Sequence, residues 1–237
     1  MVKILWFSCI LICTSLFTYG QTENQVSVFD QTINPAGIIE ELPPPPPKVE
    51  GSVYLSEEWQ HGAVTLASNQ KITNYLLKYD LQNHILEIRV SDEIKVCPLH
   101  MFTSFELKDV RTNTTSRFVN LPNLTNDPEF ADGIAEVLFE GEVLLLKQYH
   151  LVTKEPTYLA TVDMGKKNSS IHKKEKFYIS QNKTLKKIER RHKLNKELFG
   201  NHQSQMETYI ATNKLKFSNE SDLINIALHF NSIISGK

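Results

Sequence analysis

The chain has 237 residues, 41% of them hydrophobic and 22% charged, with a formal net charge of −1, the composition of an ordinary globular protein with room for one medium domain and an appendage. Its 9 glycines are scattered singly, which excludes a glycine-rich nucleotide cradle. The near-zero charge hides an asymmetry. Between Gln21 and Leu146, 8 Lys/Arg stand against 19 Asp/Glu; between Lys147 and Gly200, 14 stand against 5.

Residues 1–20 read as a secretory signal peptide: Lys3 is the positive start, Ile4 to Phe17 the apolar stretch, and Thr18-Tyr19-Gly20 the small-residue end. The apolar stretch is short for a membrane span, so no transmembrane segment is expected after cleavage. Cys13 follows Leu11-Ile12 without the small residue that lipidation requires, so a lipoprotein anchor is rejected. Residues 21–50 have few core-forming side chains and end in the run Pro43 to Pro47, a polyproline spacer at roughly 3.1 Å per residue.

From Gly51 the pattern becomes that of an antiparallel β domain, expected over 51–189. Gly62 to Leu66 is a first strand. Tyr75, Leu77, Tyr79 and Leu81 alternate with polar residues on a second, and Gln82-Asn83 turns it. Leu86, Ile88 and Val90 form a third; Ser91-Asp92 leads into Ile94 to Cys97, which Pro98 ends. Phe102 to Leu107 and Arg117 to Val119 follow, and then a hairpin of Ala135 to Phe139 with Val143 to Leu151 across Glu140-Gly141. Val143 to Leu146 is apolar on both faces, which places that strand centrally. Lys154 to Lys174 is weakly patterned and Lys-rich, and Phe177 to Ile188 reads as a last hairpin through Gln181-Asn182.

The period then changes to helical over 190–237. Arg190 to Phe199 is expected as a helix stopped by Gly200, Met206, Tyr209 and Ile210 mark a second, and Ser218 caps a third. Leu223, Ile226, Ala227, Phe230, Ile233 and Ile234 make one apolar stripe on that third helix, expected to pack on its own domain. The expected fold class is therefore α+β: an antiparallel β-meander forming a curved sheet or barrel-like core, with a short C-terminal helical segment packed on it.

Gly51-Ser52-Val53-Tyr54-Leu55, the Gly62-started strand, Tyr75 to Asp80, Glu136 to Gly141 and Phe177-Tyr178-Ile179 carry a resemblance. In that order they resemble a group of uncharacterised secreted proteins of Bacteroidota, with a signal peptide, a G-x-x-Y-L opening and a Lys-rich end leading to a small helical tail. Leu76 departs from the Pro or Val of that pattern. The resemblance spans about Gly51 to Ile234 and implies an envelope location and this architecture. It transfers no activity and no site.

H-E-x-x-H, paired C-x-x-C and G-x-S-x-G are absent. Beyond the signal segment Cys97 is the one cysteine, without a local base, and it reads as a small apolar strand residue rather than a nucleophile. Cys97 and His100 have a ligand-like spacing, but His61, His84 and His150 are spread without pattern, so no metal set is expected. Glu40-Glu41 and Glu57-Glu58 are adjacent pairs that diverge along an extended chain, unlike paired acid/base carboxylates. No catalytic, cofactor-binding or metal residue is assigned, and no cofactor is expected. Lys166 to Lys196 interleaves cations with Phe177, Tyr178 and His192, a pattern that either decorates solvated faces or binds an anionic surface. Five N-x-S/T triplets, at Asn113, Asn123, Asn168, Asn182 and Asn219, matter only in a glycosylating secretory route.

The function expected is that of an exported, non-catalytic interaction or structural protein of the bacterial cell envelope, periplasmic or extracellular, with an envelope protein or surface component as partner and no nucleic acid. The alternatives are a hydrolase or transferase acting on envelope polymers with residues from separate strands, or anionic-surface binding through 166–196.

Overall fold

In the computed structural model, the described residues are 48–158, 161–162, 164–191 and 195–236. The signal segment, the polyproline run and Glu40-Glu41 lie outside them, as does His192.

Eleven strands form one sheet: β1 (Val49–Glu50), β2 (Gln60–Leu66), β3 (Lys71–Asp80), β4 (Ile85–Val90), β5 (Glu93–Pro98), β6 (Phe102–Asp109), β7 (Thr114–Asn120), β8 (Ile134–Glu140), β9 (Leu144–Lys154), β10 (Ser169–Gln181) and β11 (Thr184–Ile188). Their order is β1-β10-β9-β8-β7-β6-β2-β3-β4-β5, with β11 paired to β10. Every pairing is antiparallel except the short parallel one of β1 with β10. Two helices follow, α1 (Gln203–Thr212) and α2 (Glu220–Ile234). The class is α+β.

Local chemistry sets the turns. Asp80 takes the main-chain N–H groups of Gln82 and Asn83 on one carboxylate oxygen, at 2.7 and 2.9 Å, and holds the β3–β4 turn. Asn182 and Lys183 both have positive φ, 49° and 62°, as a two-residue type I′ hairpin between β10 and β11 requires. Gly62 is required by close approach: a Cβ there would lie 2.1 Å from the Glu106 carbonyl oxygen across the β2–β6 pairing.

The sheet bends strongly. Glu50 pairs beside β10, while Tyr54 pairs with Asp80 on the β2 side of β3. Those two positions are about 29 Å apart on a flat sheet at ~4.8 Å per strand step. Four residues of chain reach at most about 14 Å. The barrel-like closure expected from the sequence does not occur among the described residues, where β5 pairs only with β4 and remains an open edge.

Successive residues of β9 point to opposite faces and bury into different cores, as its two-sided apolar pattern predicts. Leu145 joins Ile179, Met206, Ile210, Leu223, Ile226 and Phe230 under the helices. Leu146 joins Val119, Leu121, Phe130 and Tyr178 on the other side. The meander has its own core, an aromatic column in which Phe105 stacks on Tyr79 at 5.5 Å and on Phe118 at 4.9 Å, with Phe102 edge-on.

Two helical expectations are corrected. Residues 190–191 and 195–199 form turns rather than a helix, because Asn195 ties its side chain to the main chain of Glu189. Its Oδ1 accepts from the Glu189 N–H at 2.9 Å and its Nδ2 donates to the Glu189 carbonyl at 2.7 Å. The N-cap of α2 is Asn219, not Ser218; its side chain accepts from the Asp222 N–H at 3.0 Å. The apolar stripe of α2 packs on the domain, and Asn231 Oδ1 accepts from the Glu142 N–H at 2.7 Å to fasten the helix to the β8–β9 turn.

Candidate functional site

Cys97 is buried in the meander core, and burial pushes its thiol up, away from the thiolate a nucleophile needs. His61 is exposed on β2, and His100 is exposed in the 3-10 turn Leu99–Met101. Glu58 is occupied by Arg111, 2.9 Å away on the surface. Among the described residues no group of three or more His, Cys, Asp or Glu is placed to hold a metal ion.

One polar cluster sits inside. Lys147 of β9 is 7% exposed, and its Nζ lies 2.9 Å from carboxylate oxygens of both Glu136 on β8 and Glu220 at the start of α2. Glu136 also accepts from the hydroxyls of Ser116, at 2.7 Å, and Tyr149, at 2.8 Å. A Ser, a Glu, a Lys and a Tyr brought together from three strands is the arrangement a hydrolase reading would look for. Their electrostatics run the other way. Burial pushes the Lys147 ammonium down, but bonds with Tyr149, Glu136 and Glu220 outweigh it and leave it raised. Burial pushes Glu136 up, yet donors from Ser116, Lys147 and Tyr149 hold it below its ordinary value. The Tyr149 phenol is raised, first by burial and then by the charge of Glu136. General acid–base work wants groups poised near neutral pH. Here the lysine stays charged, the tyrosine stays protonated and the carboxylate stays ionised.

The larger opening lies at the sheet edge. A cleft of about 480 Å³ is lined by Lys173, Lys174 and Lys176 of β10, Lys187 of β11 and Arg190 beyond it, with Glu175 and Glu189 its only carboxylates among the described residues. His150 of β9 also lines it. Lys174 pairs with His150, Lys176 with Gln148, and Lys187 with Tyr178, so Lys174, Lys176, Lys187 and His150 share one face. Lys173 and Glu175 face the other way, and Lys173 Nζ donates to the Leu55 carbonyl at 2.8 Å. Burial lowers the His150 imidazole below its ordinary value, and the charges of Lys176 and Lys174 lower it further. Its Nδ1 is buried without a hydrogen-bond partner. The ring is therefore neutral at physiological pH, and the positive field of the cleft comes from lysine and arginine.

His150 also borders a second cleft, of about 470 Å³, with His84, Asp132 and Gln148. There His84 Nδ1 lies 3.3 Å from the buried Tyr79 hydroxyl. The structure thus brings together two of the histidines that sequence spacing leaves scattered. The role of His150 has no local sequence signal; it follows from the β9–β10 register alone. No protein-family profile, curated protein or solved structure matches the chain.

Proposed function

We propose that this chain is an exported, non-catalytic interaction module of the bacterial cell envelope that engages an anionic component through the cleft at the β10 edge. One observation carries the reading: among the described residues, five cationic side chains against two carboxylates line this cleft. A cleft of one sign concentrates field and attracts counter-charge. The catalytic alternative is disfavoured because the interior cluster has no group poised to take or give a proton at neutral pH. Export rests on the signal-like residues 1–20, and kinship with the secreted Bacteroidota group on the strand motifs from Gly51 to Ile179.

The test is binding to heparin and to anionic vesicles across a salt series. Screening over a Debye length of about 8 Å at physiological salt predicts that affinity falls steeply as salt rises. Charge reversal of Lys174, Lys176 and Lys187 to Glu lowers it by roughly tenfold or more. Retention insensitive to both salt and charge reversal refutes the proposal.

A further inference from the structure

We infer that the β10 edge takes an extended acidic peptide segment of a partner protein as an added strand, in the bay between β1 and β11. This rests on the anionic-partner reading above and names the partner's chemistry.

β10 is paired on one side with β9 along nearly its whole length, from Ser170 to Ser180. On the other side β1 covers Ser169 and Ser170, and β11 covers Phe177 to Gln181. Between them, among the described residues, His172 to Lys176 have no strand beside them, a bay of about 17 Å at ~3.4 Å per residue. Two local devices keep it open. Gly51, at φ +105° and packed on the Ile171 carbonyl, turns the chain away just after β1. Asn195 occupies both main-chain hydrogen-bonding groups of Glu189, so β11 ends at Ile188, where it would otherwise run on beside Lys176.

An open edge offers unpaired main-chain groups to any strand, and lysines on it repel unsuitable ones. A second copy of this chain would set the lysines of one bay against those of another, so self-pairing is opposed. An acidic strand is admitted instead: its alternate side chains on one face meet Lys174 and Lys176, beside Lys187 with its own partner Glu189 at 2.6 Å, while its main chain completes the ladder. The opposite sheet edge lacks this selectivity. β5 presents exposed Ile94 and Val96, apolar side chains that any strand could meet.

The experiment measures binding of a short labelled peptide alternating Glu and Val, two versions N-methylated at alternate residues in opposite phase, and a heparin oligosaccharide. The expected result is binding of the parent peptide and its weakening at least tenfold in one methylated phase only. Hydrogen exchange slows over His172 to Lys176, and Lys174→Glu with Lys176→Glu weakens binding at least tenfold without changing Tm. If both methylated peptides bind like the parent, recognition is by charge alone; strand addition is overturned and the anionic cleft stands. If heparin binds and no peptide does, the partner is a polymer of anionic groups and the inference likewise fails. If neither binds, the anionic-partner reading fails with it.

Discussion

Replacing Lys147 with Met removes the cation that holds β8, β9 and the start of α2 together. Lys147 is 7% exposed, and the Glu136 side chain it pairs with is only 13% exposed, so the substitution leaves a carboxylate in the interior. Breaking a buried ion pair from one side costs about 3–5 kcal/mol. Glu136 keeps its bonds from Ser116 and Tyr149, which places the loss near the lower end, at about 3 kcal/mol. The Glu220 contact adds little, since that side chain is 42% exposed. For a domain of this size ~3 kcal/mol lowers Tm by roughly 6–12 °C. The pH dependence carries the sharper test. In the native chain Glu136 is depressed, so its contribution is present above the unfolded carboxyl range and lost as pH falls through the folded value. In Lys147→Met burial acts on Glu136 without its cation, so the carboxyl takes a proton readily and the gap to the native chain narrows from about pH 7 to about pH 4. Adding Glu136→Gln recovers part of the loss. Urea unfolding across that range measures all three; a loss under about 1 kcal/mol, or a gap that stays constant with pH, refutes the ion-pair account.

Three further outcomes follow from the same structure. Gly62→Ala forces a Cβ against the Glu106 carbonyl oxygen and lowers stability in denaturant unfolding by about 1–3 kcal/mol. His150 is expected to titrate below the ordinary imidazole range by NMR, and neutralising Lys174 and Lys176 to Gln moves its midpoint upward; because the folded value is depressed, its contribution to stability is present above about 6.5 and is lost as pH falls from there through the lower folded value. Asn195→Ala strips both bonds from the Glu189 main chain and costs about 1–3 kcal/mol, while Asn195→Asp, which keeps an acceptor for the Glu189 N–H, costs less.

Much of the fold was legible because it rests on period and punctuation. The alternation of Tyr75 to Leu81 and of Leu86 to Val90 requires a half-buried strand, and both are strands facing the aromatic column. Two-sided burial of β9 was legible from Val143 to Leu146. What escaped was set at a distance. Arg190 to Phe199 has helical spacing, but a single asparagine bonded back to Glu189 redirects it. The first residues of β10, from Ser169, fall in the weakly patterned, Lys-rich stretch Lys154 to Lys174 because they lie beside an open edge, where neither face has to be apolar.

That same fact explains how the site could be half visible. The cations of Lys166 to Lys196 are plain in the sequence, but whether they are scattered or convergent depends on register. Pairing Lys174 with His150 and Tyr178 with Lys187 puts three of them on one face with the half-buried His150 imidazole, and sends Lys173 to the other face, where Leu55 takes it. A slip of one residue in the β9–β10 pairing would exchange the two faces and leave Lys173 and Glu175, a neutral pair, over His150. The apolar demand of Leu145 and Leu146 on two different cores forbids that slip. The packing of β9 therefore fixes the charge pattern of the edge, and substitutions in that core should alter binding at the cleft before they touch any cleft residue.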